Sequence, residues 1–161
     1  EFNPDNLQIS YGQDYGFSND PSTLVGIAID KSRKLIYVKE YMYTTHLTTS
    51  DIARVNLSVC KRSLIVGDSA EPRLIQELSN KGCNIRGAKK GAGSISGGIS
   101  IIQDYKLIVD RDSTNIAMEL NNYVYKDKGS GLVIDDYNHA LDALRYIVSF
   151  HLMNSSKIEI V

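Results

Sequence analysis

The sequence predicts an α/β domain with one mixed sheet, built from three antiparallel strands and then alternating strands and helices, and flanked by helices. Two observations carry this prediction. Before Thr48, the apolar segments alternate with polar residues or form short runs separated by turn residues, which is typical of hairpin strands. After Thr48, short apolar runs alternate with segments in which apolar residues recur at helical spacing.

Composition restricts the class of protein. The chain has 161 residues, of which 42% are apolar and 23% charged, as in one globular domain. No apolar run approaches the ~18 residues that span a bilayer, and the N-terminus lacks a signal-peptide pattern. Cys60 and Cys83 cannot form a disulfide framework, so we expect a reduced, cytoplasmic compartment. Because the net charge is -1, a nucleic-acid partner requires a local basic patch.

The first three predicted strands precede the first helix. Residues 7–14 partly alternate and predict a strand that ends at Asp14, and residues 15–21 hold the Gly, Asn, Asp and Pro of a turn. Residues 23–30 and 35–43 predict a hairpin. Together these segments form three consecutive antiparallel strands.

The remaining elements alternate. Thr48 or Thr49 begins a helix, since Thr48 and Asp51 have the spacing of a capping box. The elements that follow are a strand at 63–67, a helix at 71–80, a strand at 83–86, a helix at 95–105, a strand at 106–110, a helix marked by Ile116, Leu120 and Tyr123, a hairpin at 123–134 and a helix at 138–152. We expect a single domain over residues 1–161, with its core at about 7–152 and a tail at 153–161.

Three acids are candidate metal ligands. Asp14 and Asp68 end predicted strands, and Asp142 shares one face of the last helix with His139 and Arg145. One interpretation is a solvated stripe in which Asp142 pairs with Arg145. The other is that Asp14, Asp68 and Asp142 supply hard oxygen ligands to Mg²⁺ or Mn²⁺. Spacing alone leaves both open.

A basic, glycine-rich segment follows the strand at 83–86. Arg86, Lys89 and Lys90 stand beside glycines whose backbone N–H groups can hold a phosphate. Lys126 and Lys128 are a second candidate for DNA binding. The alternative is that both segments are solvated loops.

Five motifs occur in a fixed order. They are Tyr11-Gly12-Gln13-Asp14-Tyr15-Gly16-Phe17, Asn19-Asp20-Pro21-Ser22, Asp68-Ser69-Ala70-Glu71-Pro72, Lys89-Lys90-Gly91-x-Gly93-Ser94-Ile95, and Asp136-Tyr137-Asn138-His139-x-x-Asp142-x-x-Arg145-Tyr146. From about residue 7 to 151, the chain resembles the C-terminal nuclease domain of the large terminase subunit of tailed bacteriophages, which has a ribonuclease H-like fold.

The resemblance implies a DNA-cleaving centre. Asp14, Asp68 and Asp142 would be the metal-binding acids of an endonuclease that cuts concatemeric viral DNA during packaging. Cleavage would proceed by two-metal phosphodiester hydrolysis with two Mg²⁺ or Mn²⁺ ions. His139 would orient water or shuttle a proton, unless it is a helix-start histidine bonded to the backbone. Glu71 and Asp135 are candidate additional acids; the alternative for each is a helix-start charge.

The resemblance also implies partners. These are double-stranded DNA and, in a complete large terminase, an N-terminal ATPase domain, the small terminase subunit and the portal, in the cytoplasm of the bacterial host and without a membrane. This chain has no G-x-x-x-x-G-K-[ST] motif, so we expect an excised domain without motor activity.

Two alternatives stay open. One is a ribonuclease H-like module that binds DNA or protein without catalysis, although all three acids are present. The other is an ATP-binding domain of the actin and sugar-kinase type, whose first phosphate loop Asp14-x-Gly16 superficially matches. Those proteins close two such domains around the nucleotide, and this chain is too short for two.

Overall fold

The computed structural model describes residues 2–130 and 138–153. A 3₁₀ turn at Pro4–Asn6 precedes the first strand. The strands are β1 Ser10–Asp14, β2 Ser22–Asp30, β3 Leu35–Thr44, β4 Ile65–Gly67, β5 Ile85–Gly87 and β6 Lys106–Val109. The helices are α1 Thr49–Cys60, α2 Pro72–Asn80, α3 Ser94–Gln103, α4 Thr114–Ser130 and α5 His139–Leu152. No helix in the described ranges combines the length and apolar character needed to cross a bilayer.

The strands form one six-stranded sheet in the order β5-β4-β1-β2-β3-β6. The pairs β1–β2 and β2–β3 are antiparallel, whereas β4, β5 and β6 join in parallel. The predicted mixed sheet is therefore confirmed. The predicted capping box is also present, since the hydroxyl of Thr48 accepts the N–H of Asp51 while the Asp51 carboxylate accepts the N–H of Thr48.

The predicted hairpin at 123–134 is wrong where the structure describes it. Helix α4 continues through Ser130, and residues 131–137 lie outside the described part. The aromatic and β-branched run Tyr123-Val124-Tyr125 favours a strand, but a helix already begun at Thr114 gains one hydrogen bond for each added residue. Strand preference depends on the surroundings, and here propagation of the helix overrides it.

Helices cover both faces of the sheet. Side chains along β1 alternate, so Tyr11 and Gln13 face α1 and α2, while Gly12 and Asp14 face α5. Gly12 allows α5 to lie directly on the strand, because a Cβ at this position would stand 1.8 Å from the backbone oxygen of Ala143. This close approach brings α5 to the end of β1.

Candidate metal centre

Asp14 and Asp68 lie at one edge of the sheet. Asp14 is the last residue of β1, and Asp68 directly follows β4, the parallel neighbour of that strand. The Asp68 N–H donates to the backbone oxygen of Gln13 at 3.0 Å, which fixes the two strand ends together. Carboxyl ends of parallel strands at a change of connectivity are common places for ligand sites.

Burial changes the acidity of Asp14. Its side chain is 7% exposed, and this burial raises its pKa, as does the negative charge of Asp68. His139 acts in the opposite direction, because its ring interacts with the ionised carboxylate. A buried carboxylate of this kind is stabilised by a nearby cation.

Helix α5 supplies the other predicted residues of the site. Nδ1 of His139 stands 3.6 Å from Oδ2 of Asp14, and Nε2 stands 3.7 Å from Oδ1 of Asp20. The imidazole thus lies between two carboxylates, and the Asp14 carboxylate raises the pKa of His139.

The negative charges of all three predicted metal-binding acids act on the phenol of Tyr146. Burial raises the pKa of Tyr146, and the negative charges of Asp14, Asp142 and Asp68 raise it further. The structure therefore brings the end of β1, the end of β4 and the first turn of α5 into one electrostatic neighbourhood. Asp14, Asp68 and Asp142 are at least 54 positions apart in sequence, and the sheet and α5 place all three near this phenol.

Two of these acids are paired with basic side chains. Nζ of Lys90 stands 2.5 Å from Oδ1 of Asp68, and Nη2 of Arg145 stands 3.2 Å from Oδ1 of Asp142. Both cations also lie near the Tyr146 ring, with Nζ of Lys90 at 5.8 Å and Cζ of Arg145 at 4.8 Å from its centroid. The ion pair between Asp142 and Arg145, one of the two interpretations of this helix face, is thus present.

The donor chemistry of this group fits a hard divalent cation. Carboxylate oxygens are the ligands that Mg²⁺ and Mn²⁺ favour, and Asp14, Asp68 and Asp142 provide them from three elements. Within residues 2–130 and 138–153, no three histidine, cysteine or acidic side chains are close enough to form a complete metal-binding group. Lys90 and Arg145 hold two of the carboxylates, so an incoming ion would have to exchange with these cations.

The basic segment borders the same centre. Arg86 lies on β5, and Lys89 and Lys90 follow in the loop before α3. Together with Arg145 these residues line a cavity of about 520 Å³ between the loop and α5. The guanidinium carbon of Arg86 lies 5.8 Å from the centroid of the Phe150 ring, and this cation–π contact helps to hold the Arg86 side chain at the cavity.

Glu71 borders the acids, whereas the other predicted side chains lie outside the described part. Glu71 is the N-cap residue of α2 and makes no side-chain capping bond, and its backbone N–H donates to the backbone oxygen of Asp68 at 3.3 Å. Burial raises the pKa of Tyr15, and the negative charges of Asp68, Asp14 and Glu71 raise it further. Asp135 lies outside the described residues. Lys126 and Lys128 belong to α4, and their side chains are also outside the described part of the structure.

Some residues of the site were not predicted. Asp20 and Tyr146 both belong to the motifs quoted above, so the sequence did single out their segments. Only the fold shows that Asp20 lies near His139 and that Lys90 and Arg145 lie near the Tyr146 ring. Glu119 is almost completely buried beside the first turn of α5. Nothing in the sequence distinguishes it from an ordinary helix-surface acid.

Comparison with known proteins identifies the family. A family model described as the terminase RNase H-like domain matches residues 14–149, which include every acid of the centre described above. The chain belongs to this family. The resemblance carried by the five motifs is confirmed.

This terminase domain has two curated relatives among phage-derived large subunits. It is 34% identical over 149 residues to the terminase large subunit of Bacillus phage SPP1, covering 86% of this chain and 35% of that protein. It is 30% identical over 141 residues to the PBSX phage terminase large subunit of Bacillus subtilis strain 168, covering 84% and 33%. The chain therefore spans about a third of the length of these relatives.

Solved structures confirm the fold of the terminase domain. The large terminase nuclease domain of bacteriophage SPP1 with bound Mn has a TM-score of 0.78 at 29% identity, covering 90% of this chain and 87% of that one. The nuclease domain of the P22 large terminase has a TM-score of 0.72 at 18% identity, covering 92% and 83%, which shows a shared fold. The predicted ribonuclease H-like architecture is confirmed.

Proposed function

We propose that this terminase domain is a metal-dependent endonuclease that cuts concatemeric viral DNA during genome packaging. The observation that carries the proposal is that Asp14 and Asp68 lie at adjoining strand ends, while α5 bears Asp142 and places His139 3.6 Å from Asp14. The related SPP1 nuclease domain has been solved with bound Mn, which supports a divalent metal at the corresponding place. Family membership favours a nuclease over the ATP-binding alternative.

The three acids would hold two Mg²⁺ or Mn²⁺ ions. When bound, such ions activate a water and stabilise the leaving oxygen of the phosphodiester. Asp14 would be the central ligand of this group, because it ends a central strand of the sheet. The buried position of its carboxylate keeps competing water away.

His139 is placed to handle a proton. Its two ring nitrogens face Asp14 and Asp20, so one nitrogen can hold a proton while the other orients a water. Asp14 raises the pKa of the imidazole, which stabilises its protonated form. In that form it also offsets the negative charge of the acids.

DNA would approach along the basic cavity. Arg86, Lys89 and Lys90 present positive charge beside the acids, which would otherwise repel phosphate. Lys126 and Lys128 stay a further candidate surface. Only a few phosphate contacts are available, so we expect weak, salt-sensitive binding by the isolated domain.

The wider assembly is proposed by analogy with the large subunits. The chain would act as a single nuclease unit over residues 1–161, linked in a complete large terminase to an N-terminal ATPase and working with the small subunit and the portal in the host cytoplasm. Such a link raises the effective concentration of DNA at the nuclease.

The deciding experiment is cleavage of supercoiled plasmid in Mn²⁺, in Mg²⁺ and in EDTA. We expect nicking and linearisation with either ion and none in the chelator, and loss of cleavage in Asp14→Asn. Asp104→Asn is a matched control, because Asp104 is an exposed acid that pairs with Lys34 on the surface. Cleavage that persists in excess EDTA would contradict the proposal, and DNA binding without any cleavage would favour the non-catalytic module.

A further inference from the structure

A buried carboxylate on α4 contacts the helix that bears half of the metal centre. Glu119 is 1% exposed, and its two carboxylate oxygens accept the backbone N–H of Ala140 at 3.0 and 2.9 Å. Ala140 lies in the first turn of α5, between His139 and Asp142. A fully buried acid is costly unless it has such partners.

Helix α5 does not cap itself. Its N-cap residue, Asn138, makes no side-chain capping bond, so the first N–H groups of the helix need another acceptor. Glu119 provides one from a different helix, with its carboxyl oxygens at the positive end of the helix dipole. This bond therefore anchors the start of α5 to α4.

Glu119 is itself held in place through the sheet. At the start of α4, the carboxylate of Glu40 on β3 accepts the side-chain amide of Asn115 at 2.7 Å and the N–H of Ile116 at 2.8 Å. One acid thus ties α4 to the sheet, and a second ties α5 to α4. The start of α5 is positioned by two successive carboxylate contacts.

The opposite side of α5 is equally constrained. Gly12 lies against the backbone of Ala143, so the helix cannot move closer to β1. The Glu119 bond ties the first turn to α4, and the Thr23 hydroxyl, which donates to the backbone oxygen of His139 at 3.2 Å, ties it to β2. Asp142 lies between the Glu119 and Gly12 contacts in the sequence, and His139 directly precedes the first of them.

We propose that Glu119 is a positioning residue of the metal centre, which sets the first turn of α5 and thereby the placement of Asp142 and His139. The inference rests on the proposed function for the metal, but it assigns a role to a residue that touches neither metal nor DNA. Outer groups that orient ligands typically contribute about 10- to 100-fold to metal affinity.

The test compares Mn²⁺ affinity, measured by calorimetry, in the wild type, Glu119→Ala and Glu119→Gln. We expect the dissociation constant to rise about tenfold or more in the alanine variant and by an intermediate factor in the glutamine variant, which keeps one acceptor. Ile116→Val is the matched control, because Ile116 is also fully buried on α4 and its replacement leaves the bonds from Ala140 to Glu119 in place. We expect its affinity to stay within about threefold of wild type.

A second measurement reads the helix without metal. Amide hydrogen exchange in residues 140–143 should quicken in Glu119→Gln and not in Ile116→Val, because only the former weakens the first turn. Unchanged exchange in that turn, or Mn²⁺ affinities within about threefold of wild type in both Glu119 variants, would overturn the inference. If the wild type binds no Mn²⁺, the proposed function fails while the exchange measurement still decides the role of Glu119.

Discussion

Replacing Gly12 with alanine should displace α5 from the sheet. The new Cβ would stand 1.8 Å from the backbone oxygen and 2.6 Å from the backbone carbon of Ala143. Ordinary contact begins at 3.4 Å, so the helix must retreat by about 1.6 Å or the strand must bend. Neither obstacle is a flexible side chain that could rotate away.

The expected cost follows from overpacking. Extra methyl groups in packed cores cost about 1–3 kcal/mol and occasionally more, and a clash with backbone belongs at the upper end. The better strand propensity of alanine returns only about 0.5–1 kcal/mol. We therefore expect Gly12→Ala to lower the free energy of unfolding by about 2–3 kcal/mol.

Urea denaturation of the wild type, Gly12→Ala and Gly91→Ala provides the assay. A Cβ at Gly91 would meet nothing within 4 Å, so this variant controls for the substitution itself. The retreat of α5 should also weaken Mn²⁺ binding, because Asp142 moves with the helix. A loss below about 1 kcal/mol, or equal losses in the two variants, would refute the close packing of α5 on β1.

Three further predictions concern charge. Asp14→Asn should abolish cleavage yet leave the melting temperature in EDTA unchanged or higher, because burial already disfavours the charged form. A large loss of stability in Asp14→Asn would mark a structural acid. Asp142→Asn should lower the free energy of unfolding by about 1 kcal/mol, because its ion pair with Arg145 is lost. Alanine at both Lys89 and Lys90 should weaken duplex binding and flatten the plot of log affinity against log salt by about two, as titrations at several salt concentrations can check. Burial raises the pKa of Glu119 from 4.5 to about 7, so the folded protein retains a proton that the unfolded chain releases between these values. The free energy of unfolding should fall as pH rises through this window, and Glu119→Gln should remove that part of the slope in denaturation series at pH 4.5 to 8.

Local pattern was sufficient for most of the sheet. The alternation in β1 and β3 and the capping box at Thr48 are properties of neighbouring residues, so sequence reasoning could reach them. The continuation of α4 to Ser130 was not accessible in this way, because the residues after Tyr123 suit a strand as well as a helix. There the outcome depended on the helix that precedes them.

The residues of the candidate site could likewise be predicted only where local spacing places them. Asp14 and Asp68 could be placed at strand ends, and Asp142 and His139 on one helix face, from spacing alone. The pairing of Lys90 with Asp68 and the burial of Glu119 under α5 depend on contacts between distant segments. A single sequence carries no periodic signal for such contacts, so they became visible only in the fold.

The ion pair between Lys90 and Asp68 joins a candidate DNA-binding residue directly to a candidate metal ligand. If Asp68 binds metal and Lys90 binds phosphate, as proposed, the two equilibria are linked, and any factor by which one ligand changes the affinity of the other must apply equally in reverse. A duplex titration in chelator and one in Mn²⁺ would then measure two different states of the same cavity. Affinities for DNA have a defined meaning for this domain only at a stated divalent-ion concentration.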